Sequence, residues 1–228
     1  MVRVGILVFP GSNCERDVHT VLTQYAGIEP ELIWHTKNDL GKYDAFVVPG
    51  GFSYGDSLRA GAIAAHSPVI GELKKMAKQN VPILGICNGF QILVESNMLP
   101  GALTTNSSLK FVCKRADLVV ENNTTPFTSL FKRGEIISIP VAHGQGRYII
   151  DSQSYRKLER NKQILLRYVD ENINGSMNNV AAVCNEQGNV VGMMPHPERA
   201  IAIRASREMV NSREHLIFES LRASLSRH

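Results

Sequence analysis

Cys87 stands between two glycines in Gly85-Ile86-Cys87-Asn88-Gly89-Phe90, a setting that suits a nucleophile. The apolar run Val81-Pro82-Ile83-Leu84 precedes it and reads as a short buried strand. Gln91-Ile92-Leu93-Val94-Glu95 follows and reads as the first turns of a helix. A cysteine on a strand-to-helix turn has the form of a nucleophile elbow with Cys in place of Ser. Such a turn strains the backbone, and flanking glycines remove side chains that would clash. The helix N-terminus then points its N–H groups and positive dipole end at the sulfur, which suits an anion. A buried structural cysteine at a strand end is the other reading, because free Cys is among the most buried residue types.

A cysteine nucleophile needs a base, the base needs an orienting acid, and the oxyanion needs donors. Met193-Met194-Pro195-His196-Pro197-Glu198-Arg199 offers the first two. His196 follows a strand pattern between two stiffening prolines. In extended backbone, positions i and i+2 point the same way, so Glu198 can hold the imidazole in one tautomer. An exposed His in a Pro-rich turn beside a solvated Glu is the plainer alternative. Pro49-Gly50-Gly51-Phe52 follows another strand pattern, and its glycines can turn N–H groups outward as a nest for an anion. The N–H of Asn88, directly after Cys87, is the second candidate donor. A plain turn is the alternative there; a phosphate loop is not, since no Gly-Lys-Ser/Thr follows.

These segments need a scaffold that brings them together. Val4–Phe9, Glu31–His35, Ala45–Val48 and Val81–Ile86 read as strands, and Glu15–Ala26 as a helix after a Pro10-Gly11-Ser12-Asn13 turn with N-cap candidates. Ser57–Gln79 holds one or two helices, interrupted by Pro68. This rhythm implies a mostly parallel central sheet with helices on both faces. Ligands in such sheets bind at the carboxyl ends of the strands, where Cys87 and the Gly50-Gly51 loop fall. The second half changes character. Leu109–Val120 and Glu135–Val141 read as longer strands, Gln163–Val169 and Val180–Cys184 as shorter ones. Asn185–Asn189 is a hairpin turn into Val190–Met194, and Ser206–Leu225 reads as a C-terminal helix. With no repeat, low-complexity segment or linker, residues 1–228 read as a single α/β domain with an added antiparallel region.

Bulk properties narrow the function classes. A hydrophobic content of 43% and a charged content of 20% are those of a globular protein. The net charge of +4 is small and not gathered into a basic stripe, which argues against nucleic acid as a partner. No apolar run approaches membrane-spanning length, and the N-terminus leads straight into a strand pattern. The expected location is the cytoplasm. Cys14, Cys87, Cys113 and Cys184 form no Cys-x-x-Cys pair and no zinc spacing, so free thiols and no metal are expected. Cys14 follows a turn that falls near the site, whereas Cys113 and Cys184 sit in strand patterns and are expected in the core. The Asn-x-Ser/Thr matches at Asn106, Asn122, Asn123 and Asn174 are then chance.

Taken together, Gly85-x-Cys87-x-Gly89-x-Gln91, Pro49-Gly50-Gly51 and His196-Pro197-Glu198 resemble the class I (triad) glutamine amidotransferases. Phe9-Pro10-Gly11-Ser12-Asn13-Cys14, the run from Pro49 to Asp56, Ala142-His143-Gly144 and the run from Met194 to Arg199 look like the separate glutaminase subunits of a purine-biosynthetic synthetase. The resemblance spans nearly the whole chain and implies a flavodoxin-like fold. It implies Cys87 as nucleophile, His196 as base and Glu198 as orienter, with the Gly51 and Asn88 amides as the oxyanion hole. Gln91, Phe52 and His143 would face the glutamine substrate. The family pattern has Glu after His143-Gly144, where this chain has Gln145. No cofactor is implied in this chain. ATP and Mg are implied in a large synthetase subunit, joined through a small bridging subunit. Two rivals are a stand-alone Cys-His-Glu hydrolase of γ-glutamyl or peptide substrates and a non-catalytic binding subunit.

Overall fold

The computed structural model describes residues 2–169, 171–202 and 213–226. The first half alternates: β1 (Arg3–Val8), α1 (Glu15–Gln24), β2 (Glu29–Trp34), β3 (Ala45–Val48), α2 (Pro68–Lys78), β4 (Ile83–Ile86) and α3 (Asn88–Glu95). The second half adds β5 (Ala102–Thr104), β6 (Val112–Val120), β7 (Ile136–His143), β8 (Arg147–Ile149) and α4 (Ser152–Arg160). It closes with β9 (Ile164–Tyr168), β10 (Val180–Cys184), β11 (Val190–Met193), α5 (Pro197–Ala202) and α6 (Leu216–Leu225).

Nine of the strands form one mixed sheet in the order β2-β1-β3-β4-β11-β10-β9-β6-β7. Pairing is parallel from β2 through β11 and antiparallel from β11 to β7. All four residues of β3, β4 and β11 are buried, as expected of strands covered on both faces. The antiparallel strand β7 alternates instead, with every second residue buried. This is the α/β fold that the alternating pattern implies, with its antiparallel extension.

Several local expectations are corrected. Pro68 does not interrupt a helix; it begins α2, at the position where its missing N–H is of no consequence. Between Ser57 and Pro68 the chain forms turns and one short 3₁₀ segment, Ala64–His66, rather than a longer helix. Neither Ser12 nor Asn13 caps α1, whose N-cap is Cys14 without a side-chain bond. Cys113 is exposed, because β9 pairs only with Leu118–Val120 and leaves the start of β6 uncovered. Cys184 is buried as expected. Residues 206–212 of the anticipated C-terminal helix lie outside the described residues. α4, which the strand-and-helix reading of the sequence left unassigned, buries a narrow stripe, Tyr155 and Leu158, at helical spacing on an otherwise polar helix. Asp151 starts it by accepting from the Gln153 and Ser154 N–H groups.

Candidate active site

The site collects at the carboxyl ends of β1, β3, β4 and β11. Parallel neighbours end on the same side of a sheet, so the loops that follow them meet. β4 pairs with β3 on one side and β11 on the other, with Gly85 opposite both Val48 and Gly192. The Gly50-Gly51 loop, Cys87 and His196 are thereby delivered to one place. The Cys87 N–H donates to Met193 O at 2.7 Å, continuing the β4–β11 ladder one residue into the elbow.

Cys87 has φ +50 and ψ −104, a strained conformation for a residue with a side chain, and begins α3. The flanking glycines have a steric cause. A Cβ on Gly89 would run into the Val48 carbonyl of β3, and one on Gly85 would sit 2.8 Å from Gly89 O. Helix and strands approach too closely for any side chain at either position. Cys87 is 5% exposed, and its sulfur has Ala142 O of β7 at 3.8 Å.

His196 is fully enclosed, and its N–H bonds to Pro140 O of β7 at 2.8 Å. Its Nδ1 lies 2.6 Å from Glu198 Oε1, and the carboxylate is completely buried. That contact assigns the Nδ1 proton toward Glu198 and leaves Nε2 without a hydrogen-bond partner among the described residues. Burial alone would lower the imidazole pKa, but the Glu198 carboxylate and the Cys87 sulfur outweigh it. The pKa lies well above the ordinary histidine value. A sulfur, an imidazole and a carboxylate therefore stand together in a buried site, a set able to perform nucleophilic acyl transfer.

The Gly50-Gly51 loop is bound to the turn after β1. Gly51 bridges Ser12, Phe52 N–H donates to Gly11 O at 2.9 Å, and Cys14 N–H to Gly50 O at 3.2 Å. Gly51 has φ +147, and a Cβ there would lie 2.8 Å from Asn13 N and Ser12 Cα, so only glycine fits. Its own N–H has no hydrogen-bond partner among the described residues. Phe52 is 47% exposed. Gln91 is buried, with both amide atoms engaged: Oε1 accepts from Asn88 Nδ2 at 2.9 Å and Nε2 donates to Gln145 O at 2.7 Å. His143 is buried at the end of β7, its Nδ1 3.2 Å from Asn106 Oδ1. Burial, and then the charge of His196, push its pKa down to about 4.

Two residues matter more than their sequence context suggests. Asn106, fully buried, donates to His143 O at 2.9 Å and accepts from Gly146 N–H at 3.0 Å, which shapes the whole 143–146 loop. Its only sequence signal is a chance-looking Asn-Ser-Ser. Cys14 is packed behind the imidazole, its Sγ 4.0 Å from His196 Nδ1 and 3.0 Å from Arg199 Nη2. Burial pushes the Cys14 thiol up, beyond what His196 and Arg199 lower it. Ligand atoms of Cys14, His196 and Glu198 lie within 4.8 Å of one another, close enough for one metal ion. The Arg199 guanidinium against the sulfur disfavours a cation, and the His196–Glu198 hydrogen bond already occupies both other ligand atoms.

The family model of the CobB/CobQ-like glutamine amidotransferase domain matches residues 1–223. The chain belongs to that family. The amidotransferase is 46% identical to the phosphoribosylformylglycinamidine synthase subunit PurQ of Chlorobaculum parvum, covering 99% of this chain and 91% of that protein. It superposes with a TM-score of 0.87 on a chain of the PurLQS structure from Thermotoga maritima, at 46% identity and covering 98% and 99% of the two chains. A glutamine amidotransferase structure from the same organism shares the fold at a TM-score of 0.59 and 14% identity, covering 99% of this chain and 97% of that one. Among the described residues of the amidotransferase, no helix is long and apolar enough to cross a membrane.

Proposed function

We propose that this chain is the glutaminase subunit of phosphoribosylformylglycinamidine synthase, acting as one domain across its length. The observation that carries this reading is the 46% identity with a PurQ subunit over 99% of the chain. The burial of Cys87, His196 and Glu198 at adjacent strand ends supports it. Cys87 attacks the side-chain amide carbon of glutamine, and the oxyanion lies between the Gly51 and Asn88 N–H groups. His196, oriented by Glu198, gives its proton to the departing ammonia and leaves a γ-glutamyl thioester. Water then attacks the thioester, losing a proton to His196, and glutamate leaves as the Cys87 sulfur is restored. A raised imidazole pKa serves this sequence, because the first step starts from protonated His196. Gln91, Phe52 and His143 border the glutamine. The chain itself uses neither metal nor organic cofactor.

The ammonia passes to a large synthetase subunit, docked with a small bridging subunit, in the cytoplasm. There ATP and Mg drive conversion of formylglycinamide ribonucleotide to formylglycinamidine ribonucleotide. Reconstitution with both partner subunits tests the reading. Glutamine-dependent product formation is expected, and turnover of γ-glutamyl peptides by the free chain in its place would favour the stand-alone hydrolase.

A further inference from the structure

Asn88 does more in this fold than supply a backbone N–H. Its side chain is 1% exposed and lies between the elbow and the Gly50-Gly51 loop. Ser53 N–H donates to Asn88 Oδ1 at 3.1 Å, Asn88 Nδ2 donates to Gln91 Oε1 at 2.9 Å, and Gln91 Nε2 donates to Gln145 O at 2.7 Å. The Gln145 side chain closes the line by accepting from Ala60 N–H at 3.3 Å. The polarity of this relay is forced. A backbone N–H must meet an oxygen, so the Asn88 amide nitrogen faces Gln91, which must turn its oxygen inward and its nitrogen toward Gln145. The amide at position 88 thus accepts from one neighbour and donates to the other through two different atoms.

The loop needs such a hold. Gly51 has no Cβ to restrict it, and a glycine peptide flips at little steric cost. Before Gly51, Gly50 O accepts from Asn13 and Cys14 N–H; after it, Phe52 N–H is tied to Gly11 O and Ser53 N–H to Asn88 Oδ1, the hold that comes from the elbow itself. Resting on the glutaminase reading above, we infer that the Asn88 side chain is a positioning residue that holds the Gly51 donor in line with Cys87. Gln91 and Gln145 extend that hold to the loop after β7. The residue whose N–H is one oxyanion donor thus orients the segment that carries the other.

The test uses Asn88→Ala and Asn88→Asp in the reconstituted complex. Asp keeps the acceptor for Ser53 and loses the donor to Gln91. Glutamine kcat should fall by about tenfold or more in Asn88→Ala, since misaligning one oxyanion donor removes much of its hundredfold effect. KM should move by less than kcat, because the lost alignment weakens the hold on the oxyanion more than on the bound amide. Alkylation of Cys87 by iodoacetamide, which displaces iodide and forms no oxyanion, should keep its wild-type rate. Amide hydrogen exchange in a peptide spanning 50–58 should quicken in Asn88→Ala and stay slow in Asn88→Asp. Wild-type kcat in Asn88→Ala, or an equal loss of kcat and alkylation rate, would overturn the inference. Failure of the wild-type complex to use glutamine would instead overturn the glutaminase reading.

Discussion

Cys87 and Met193 share one backbone hydrogen bond, 2.7 Å from the elbow N–H to the strand carbonyl. Three residues beyond Met193 the chain reaches His196, so this rung, with the His196 N–H bond to Pro140 O, ties the proposed base to the strand that delivers the proposed nucleophile. The testable consequences of that arrangement begin with the sulfur.

Cys87→Ala should abolish glutamine-dependent synthesis by the reconstituted complex and leave synthesis from added ammonia intact, since the nucleophile serves only ammonia supply. Product formation with each nitrogen source checks this. Glutamine use near the wild-type rate would remove Cys87 from the chemistry.

Glu198→Gln should lower kcat by about a hundredfold with little change in KM. The amide can still bond His196 Nδ1, yet it favours the wrong tautomer and cannot balance an imidazolium. The corresponding change in a serine triad costs about ten-thousand-fold, and a Cys–His pair, which starts partly ionised, should lose less. Steady-state kinetics decide it, with a change within about twofold, or ~0.4 kcal/mol, counting against the role.

His143 should make the protein acid-sensitive. Its folded pKa of about 4 lies below the ordinary 6.5, so the unfolded chain takes up a proton that the folded chain refuses. The stability tied to its neutral form is complete above pH 6.5 and drains away as the pH falls toward 4. The full effect is about 3 kcal/mol at 1.36 kcal/mol per pH unit. His196, with its raised pKa, has the opposite sign: its contribution is complete below 6.5 and is lost as pH rises through its folded value. Urea unfolding of wild type and His143→Gln from pH 7 to 4 should show a shallower acid slope in the variant.

Gly89→Ala should destabilise the fold by about 3 kcal/mol, because the new methyl would overlap the Val48 carbonyl. In a protein of this size that is a drop of roughly 10 °C in Tm. Gly71→Ala, in α2 with nothing within 4 Å of the new methyl, should be neutral or stabilise by about 0.5–1 kcal/mol. Thermal melts of the two variants make the comparison. Equal shifts would mean that the elbow glycine is not held by crowding.

The isolated chain should be a poor glutaminase and its partners should raise the rate. The loop from Phe52 to Leu58 carries positive φ at Tyr54, Gly55, Asp56 and Leu58, strained backbone that docking can reset. Glutamine kcat for the free chain and for the complex with its acceptor site filled settles this. Equal values would exclude control through the loop.

Much of this arrangement was legible in the chain because it is locally encoded. Gly-x-Cys-x-Gly between an apolar run and a helical one can be recognised from neighbouring residues, and so can His196-Pro197-Glu198. What could not be read depends on packing between distant segments. Cys14 reaches His196 only because the turn after β1 interlocks with the loop after β3. Asn106 shapes a loop that lies far from it along the chain. The core-facing stripe of α4 is only two residues, Tyr155 and Leu158, and Cys113 follows a strand pattern whose neighbour stops short. Pro68 is ambiguous in the sequence because a proline stops a helix that reaches it but suits the first turn of one that starts there.

β11 joins the two halves of the sheet, parallel to β4 on one side and antiparallel to β10 on the other. Among the described residues it is also the last strand to be synthesised. Until residues 190–193 leave the ribosome, β4 is an uncovered sheet edge, and its Ile83-Leu84-Gly85-Ile86 is the kind of bare apolar edge that recruits stray strands. The nascent chain can therefore assemble its amino-terminal layer early, but it stays sticky and inert until the final hairpin slots in. Sealing that edge and bringing His196 beside Cys87 are one event, so a chain cut short before residue 190 would leave β4 bare and the two side chains apart.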